Sequence, residues 1–124
     1  MRHALFILLL TTGCATTSSI SATQPGLFGA RDYLKTAWET LAKAETDTGG
    51  HRVRAERETR AALEELGDLS LPARKVPFTG PPSLAIALEL LEHSEIEMSR
   101  MCSNDALVHT RRAADELRAA IASK

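Results

Sequence analysis

The chain has 124 residues, with 15 Lys and Arg against 16 Asp and Glu, four His, two Cys and five aromatic side chains. That length holds one modest domain. A formal charge of −1 lacks the basic surplus that phosphate binding requires, so nucleic acid is not an expected partner, and so few aromatics argue against a stacking platform.

In chain order, the first element is a targeting segment. Arg2 precedes the seven-residue apolar run Ala4–Leu10, which is followed by Thr11, Thr12, Gly13 and Cys14. A cation, a short apolar run and small residues make a secretory signal. The run is well short of the roughly 20 residues that span a bilayer as a helix, which argues against an uncleaved anchor. The cysteine directly after the small residues resembles the lipobox of bacterial lipoproteins. Leu10, Thr12 and Gly13 fit that pattern, while Thr11 stands where the family usually has Leu. The resemblance implies cleavage before Cys14, acylation of its thiol by fatty chains such as palmitate, and attachment to a membrane. Ala15 follows the cysteine in place of the Asp that marks inner-membrane retention, which implies an outer-membrane address facing the periplasm. The competing reading is an ordinary signal cleaved after Ala15 or Ala22, leaving a secreted protein without lipid.

Residues 1–13 are therefore read as signal peptide, 14–26 as acylated cysteine and tether, and 27–124 as the folded domain. The stretch Ala15–Gly26 carries no charge and little to bury, so it cannot offset its own ordering entropy. Removing residues 1–13 takes away Arg2 and leaves 111 residues with a formal charge of −2. With Cys14 acylated, Cys102 has no partner for an internal disulfide, and burial as a small apolar residue is its expected state.

The domain reads as all-α: four helices arranged as two antiparallel hairpins, 27–67 and 83–124, joined by a Pro-rich linker over 68–82. The first helix is expected from about Gly29 to Thr46, with Leu34, Ala37, Trp38, Leu41 and Ala44 as its apolar stripe. The second is expected from His51 to Leu66, with the narrow inner face Ala55, Thr59, Ala62, Leu63 and Leu66 and a stop at Gly67. Its Arg52, Arg54, Arg57 and Arg60, interleaved with Glu56 and Glu58, read as a solvated face with close-range ion pairs. Pro72, Pro77, Pro81 and Pro82 break the chain, and Leu69, Leu71, Val76 and Phe78 predict that the linker packs along the bundle.

The third helix is expected from near Pro82, a suitable first-turn residue, to about Cys102, burying Leu84, Ile86, Ala87, Leu88, Leu90, Leu91, Met98 and Met101. A turn at Ser103-Asn104-Asp105 supplies N-caps for the fourth, which should bury Leu107, Thr110, Ala113, Ala114, Leu117 and Ile121. The halves echo each other. Leu34, Ala37 and Leu41 recur as Leu84, Ala87 and Leu91 at a shift of 50, and Arg60-Ala61-Ala62 as Arg112-Ala113-Ala114 at a shift of 52.

Gly49-Gly50-His51-Arg52 closes the first hairpin. With its flanking Ala37, Leu41, Ala44 and Ala55, it resembles a group of small secreted bacterial helical proteins with a Gly-Gly-His-Arg turn; the resemblance implies fold and export but no chemistry. Physically, Gly49 is expected to take positive φ to end helix one, Gly50 to reverse the chain, and His51 or Arg52 to bond carbonyls freed at the end of helix one. The functional alternative is anion binding at the helix N-terminus.

The remaining candidate for chemistry is a donor set on the second hairpin: His93, Met98, Met101, Cys102 and His109. Imidazole, thioether and thiolate suit soft or borderline metals, and facing helices of a bundle often supply ligands. Against it, Met98, Met101 and Cys102 already fit the apolar stripe, and no Cys-x-x-Cys or His-x-x-x-His occurs. No Gly-x-Ser-x-Gly elbow or phosphate loop is present either. The sequence thus points to a non-catalytic, cofactor-free envelope protein with a structural or interaction role and an unidentified envelope protein as partner. The alternative is a periplasmic module binding a metal or small ligand.

Overall fold

A computed structural model describes residues 28–45, 49–67, 73–101 and 104–123. Cys14, the signal and tether expected over residues 1–26, the first linker residues 68–72 and Cys102 lie outside the described residues, as does the side chain of Met101. Four helices form the fold: α1 (Ala30–Lys43), α2 (His51–Leu66), α3 (Leu84–Met101) and α4 (Asn104–Ala122).

Every pair of neighbouring helices runs antiparallel. Glu92 and Glu95 of α3 meet Arg118 and Arg111 of α4; His51 and Glu58 of α2 meet Glu116 and His109 of α4. Around the bundle the order is α1, α2, α4, α3, with the most extensive packing between hairpins, α2 on α4 and α1 on α3. Because α2 and α3 lie on a diagonal and point the same way, the chain must travel the length of the bundle between them. The linker makes that journey along the outside of α1. Arg74 N–H donates to Asp32 Oδ1 (2.8 Å), Val76 N–H to Thr36 Oγ1 (3.0 Å), and Lys75 lies 4.0 Å from Glu39. Val76 is fully buried, and Phe78 packs against the core. The expected two-hairpin bundle is therefore present, with one long crossover connection.

The core consists of Leu34, Leu41, Leu63, Leu84, Leu90, Leu91, Met98 and Leu117 at zero or near-zero exposure, interleaved with alanines. Leu34, Ala37 and Leu41, and their counterparts Leu84, Ala87 and Leu91, are all fully buried. Between α2 and α4 burial follows a shift of 51, not 52. Ala55, Thr59 and Ala62 match Ala106, Thr110 and Ala113, and every one of these six is fully buried. Each buried threonine donates its hydroxyl to the carbonyl four residues back, Thr59 to Ala55 (2.7 Å) and Thr110 to Ala106 (2.8 Å). This satisfies the hydroxyl without a partner across the seam, so two small-residue faces close directly on each other.

The left-handed glycine at the start of α2 is Gly50 (φ 74°), which caps that helix, and the chain leaves α1 through an extended Ala44 (ψ 166°). Three local expectations are corrected. The third helix begins at Leu84, not Pro82, because Ser83 acts as N-cap: its Oγ accepts the Ile86 N–H at 3.2 Å. Trp38, expected within the apolar stripe, is half-buried and packs against the core from its edge. Ala30, Tyr33, Leu34, Ala37 and Leu41 already fill the inward face of α1, which leaves the position after Ala37 at its edge. Ile121 is 37 % exposed, and Ala120 takes the inward place in that last turn.

Candidate functional site

Gly50, His51 and Arg52 are organised by charge as much as by glycine geometry. A side chain at Gly50 would be strained by its φ, and a Cβ there would sit 3.2 Å from Arg54 Nη1. Arg52 reaches back and donates to the Leu41 carbonyl in the last turn of α1 (3.0 Å), while its guanidinium also pairs with Glu56 (3.2 Å). A cation thus bonds a carbonyl in the last turn of α1 that also accepts the Ala44 N–H at 3.4 Å, a contact of the kind expected of Arg52 or His51. His51 turns the other way, across to α4.

There its Nδ1 lies 2.8 Å from Glu116 Oε1. Arg54 donates to the same oxygen (Nε, 3.1 Å) and to the Gly49 carbonyl (Nη2, 3.0 Å). Seven residues along, the arrangement is inverted: Glu58 of α2 meets His109 of α4, with Nδ1 to Oε1 at 2.7 Å. Each helix therefore carries His-x6-Glu, His51 to Glu58 and His109 to Glu116. Antiparallel packing joins them reciprocally into two His–Glu bridges, one heptad apart, between the hairpins. Both spacings stand in the sequence, but their shift, 58, differs from that of the apolar repeat, and neither by itself points to the other helix. Arg52 and Arg54, expected on a solvated face, are half-buried parts of this network; Arg57 and Arg60 are exposed.

Glu116 is held below the usual carboxylate range, first by the hydrogen bond from His51, then by the hydrogen bond and charge of Arg54, with partial burial opposing them. A depressed pKa contributes stability that is complete above the ordinary glutamate value and disappears as pH falls through the folded one. Glu116→Gln should consequently destabilise by up to about 1 kcal/mol near neutrality. Thermal melts across the acid range should show the gap to the parent closing as pH drops; a gap that widened in acid would contradict this role for the carboxylate.

The proposed metal donors are distributed among different contacts. His93 stacks on Tyr33 of α1, centroids 5.1 Å apart and planes 16° apart, whereas His109 turns to α2. Met98 is fully buried, with its sulfur 3.8 Å from Thr110 Oγ1. Met101 (side chain) and Cys102 lie outside the described residues. Among the described residues no group of three or more His, Cys, Asp or Glu is placed to hold a metal ion.

A second feature lies on the outer side of hairpin one. Trp38 of α1 and Val53, Glu56, Arg57 and Arg60 of α2 line an open groove of about 270 Å³. Lys35 Nζ stands 5.9 Å from the centre of the indole. Among the described residues no helix is long and apolar enough to cross a membrane. No protein-family model matches the chain, and no match emerges among curated proteins or solved structures.

Proposed function

We propose that the protein is a lipid-anchored envelope protein whose helical bundle acts as a non-catalytic interaction or structural module. The observation that carries this reading is the order of residues 1–14, a cationic start, a short apolar run and small residues closing on Cys14. The bundle is compatible in its polarity. The start of α1 shares one end with the end of α2 and the start of α4, while the Gly49–Arg52 turn lies at the other. A tether of residues 15–26 reaches at most about 40 Å when extended, and it would enter the bundle at the α1 end, leaving the bundle free to meet a partner in the periplasm. The non-catalytic part of the reading is supported by how the histidines are engaged: His51 and His109 bridge the hairpins and His93 stacks on Tyr33.

Metabolic labelling with a fatty acid, followed by mass spectrometry of the mature N-terminus, tests the anchor. The parent protein should incorporate label, begin at Cys14 and fractionate with the outer membrane. Cys14→Ser should lose label and leave the membrane fraction, because stable attachment needs more than one buried acyl chain. A mature, lipid-free N-terminus at Thr16 or Thr23 would establish a secreted protein instead.

A further inference from the structure

Of the seams between neighbouring helices, that between α1 and α2 is the least closely packed. The crossover linker covers one side of α1, with Arg74, Lys75 and Val76 on Asp32, Glu39 and Thr36. On the α2 side the groove beside Trp38 is left open. Its chemistry is uneven. Val53 is 48 % exposed, and the indole forms the wall opposite. Arg57 makes no hydrogen bond or ion pair among the described residues; Arg60 has only the exposed Glu64, at 3.4 Å. Lys35 adds a third cation at the rim. The single acid in the lining, Glu56, is already bound by Arg52.

We propose that this groove docks a short acidic segment of a partner protein. An apolar side chain sits between Trp38 and Val53, and flanking carboxylates meet Arg57 and Arg60. The inference rests on the interaction role proposed above but not on the anchor. Charge complementarity selects the occupant: a local basic groove on a chain of net charge −1 favours a compact acidic ligand. An extended anionic surface, whether membrane or nucleic acid, would meet the acidic remainder of the molecule as well. Arginine forks match carboxylates bidentately, and a partly exposed Trp supplies large contact area from a rigid side chain. The dimensions agree. Val53, Arg57 and Arg60 step by four and three residues along α2, a span of about 10 Å, or roughly three residues of extended chain.

Trp38 is the sole tryptophan, so its emission reads the groove directly. The full chain, held in non-ionic detergent, would be used to select from a random short-peptide library. Recovered peptides should carry Asp or Glu on both sides of an apolar residue and shift Trp38 emission. They should bind at least about tenfold more weakly to Arg57→Glu/Arg60→Glu, a loss of about 1.4 kcal/mol, while that variant keeps the parent melting temperature. Should it unfold, Arg57→Gln/Arg60→Gln replaces it, with the same loss expected. Peptides without acidic bias, equal binding to the variant, or no enrichment over it would each overturn the proposal. So would phosphatidylglycerol vesicles that shift the emission with the same arginine dependence where peptides do not; the groove would then be a membrane contact. Photocrosslinking in cells from Ile96 and Val108, on α3 and α4, separates the two readings. A specific partner trapped there, with the peptide selection negative, removes the groove assignment and leaves the interaction role standing.

Discussion

Leu91→Ala is expected to destabilise the protein by roughly 2–5 kcal/mol, a large fraction of what holds a domain of this size together. Leu91 is fully buried in the middle of α3, among residues that include its repeat counterpart Leu41. Truncation removes the transfer energy of the lost methyls and leaves a cavity that rigid neighbours only partly fill. Leu41→Ala should have a similar effect, since Leu41 is equally buried at the matching position of α1. Urea denaturation would show a lower midpoint at an unchanged slope. A loss below about 1 kcal/mol at both positions would mean that the two helices do not share this core.

Thr36→Val should destabilise by about 1–3 kcal/mol, although valine nearly matches threonine in shape and is the more apolar. Thr36 is 1 % exposed, and its hydroxyl accepts the N–H of the fully buried Val76. The substitution leaves that amide without an acceptor in a dry site, so the full desolvation penalty falls on the crossover. Hydrogen exchange gives a local reading. The Val76 amide should lose protection in the variant, while amides at the centre of α4 retain theirs. If Val76 stayed as protected as before, the linker would be held by packing alone.

Helix number, hairpin pairing and most of the core were legible because Leu and Ala recur at three- and four-residue steps, and because Gly and Pro mark the breaks. What the pattern could not show was sidedness. Trp38 satisfies the apolar period yet falls at the edge of a face filled by Ala30, Tyr33 and Leu34, so truncating it should matter less than truncating Leu91. Pro82 suits a first helical turn, but the serine after it offers an N-cap oxygen, and the cap decided the boundary. The arginines of α2 read as solvated because only spacing within one helix was visible. Arg52 and Arg54 found acceptors on α1 and α4. The reciprocal His–Glu bridges needed the antiparallel register of two helices more than 50 residues apart, which no single-helix pattern contains.

The crossover also orders events in time. Each hairpin closes a short turn and can form from local contacts, which are quick to make. Joining the hairpins requires a much longer loop to close, and its entropy is lost before α2 meets α4 or α1 meets α3. The linker's bonds to Asp32 and Thr36 have an acceptor side that exists only once α1 is helical, so residues 73–78 can fasten only after that helix has formed. Transient release of that segment would bare Thr36 and the buried Val76 while α1 kept its helix, so the crossover is the place where a partial opening of this protein would begin.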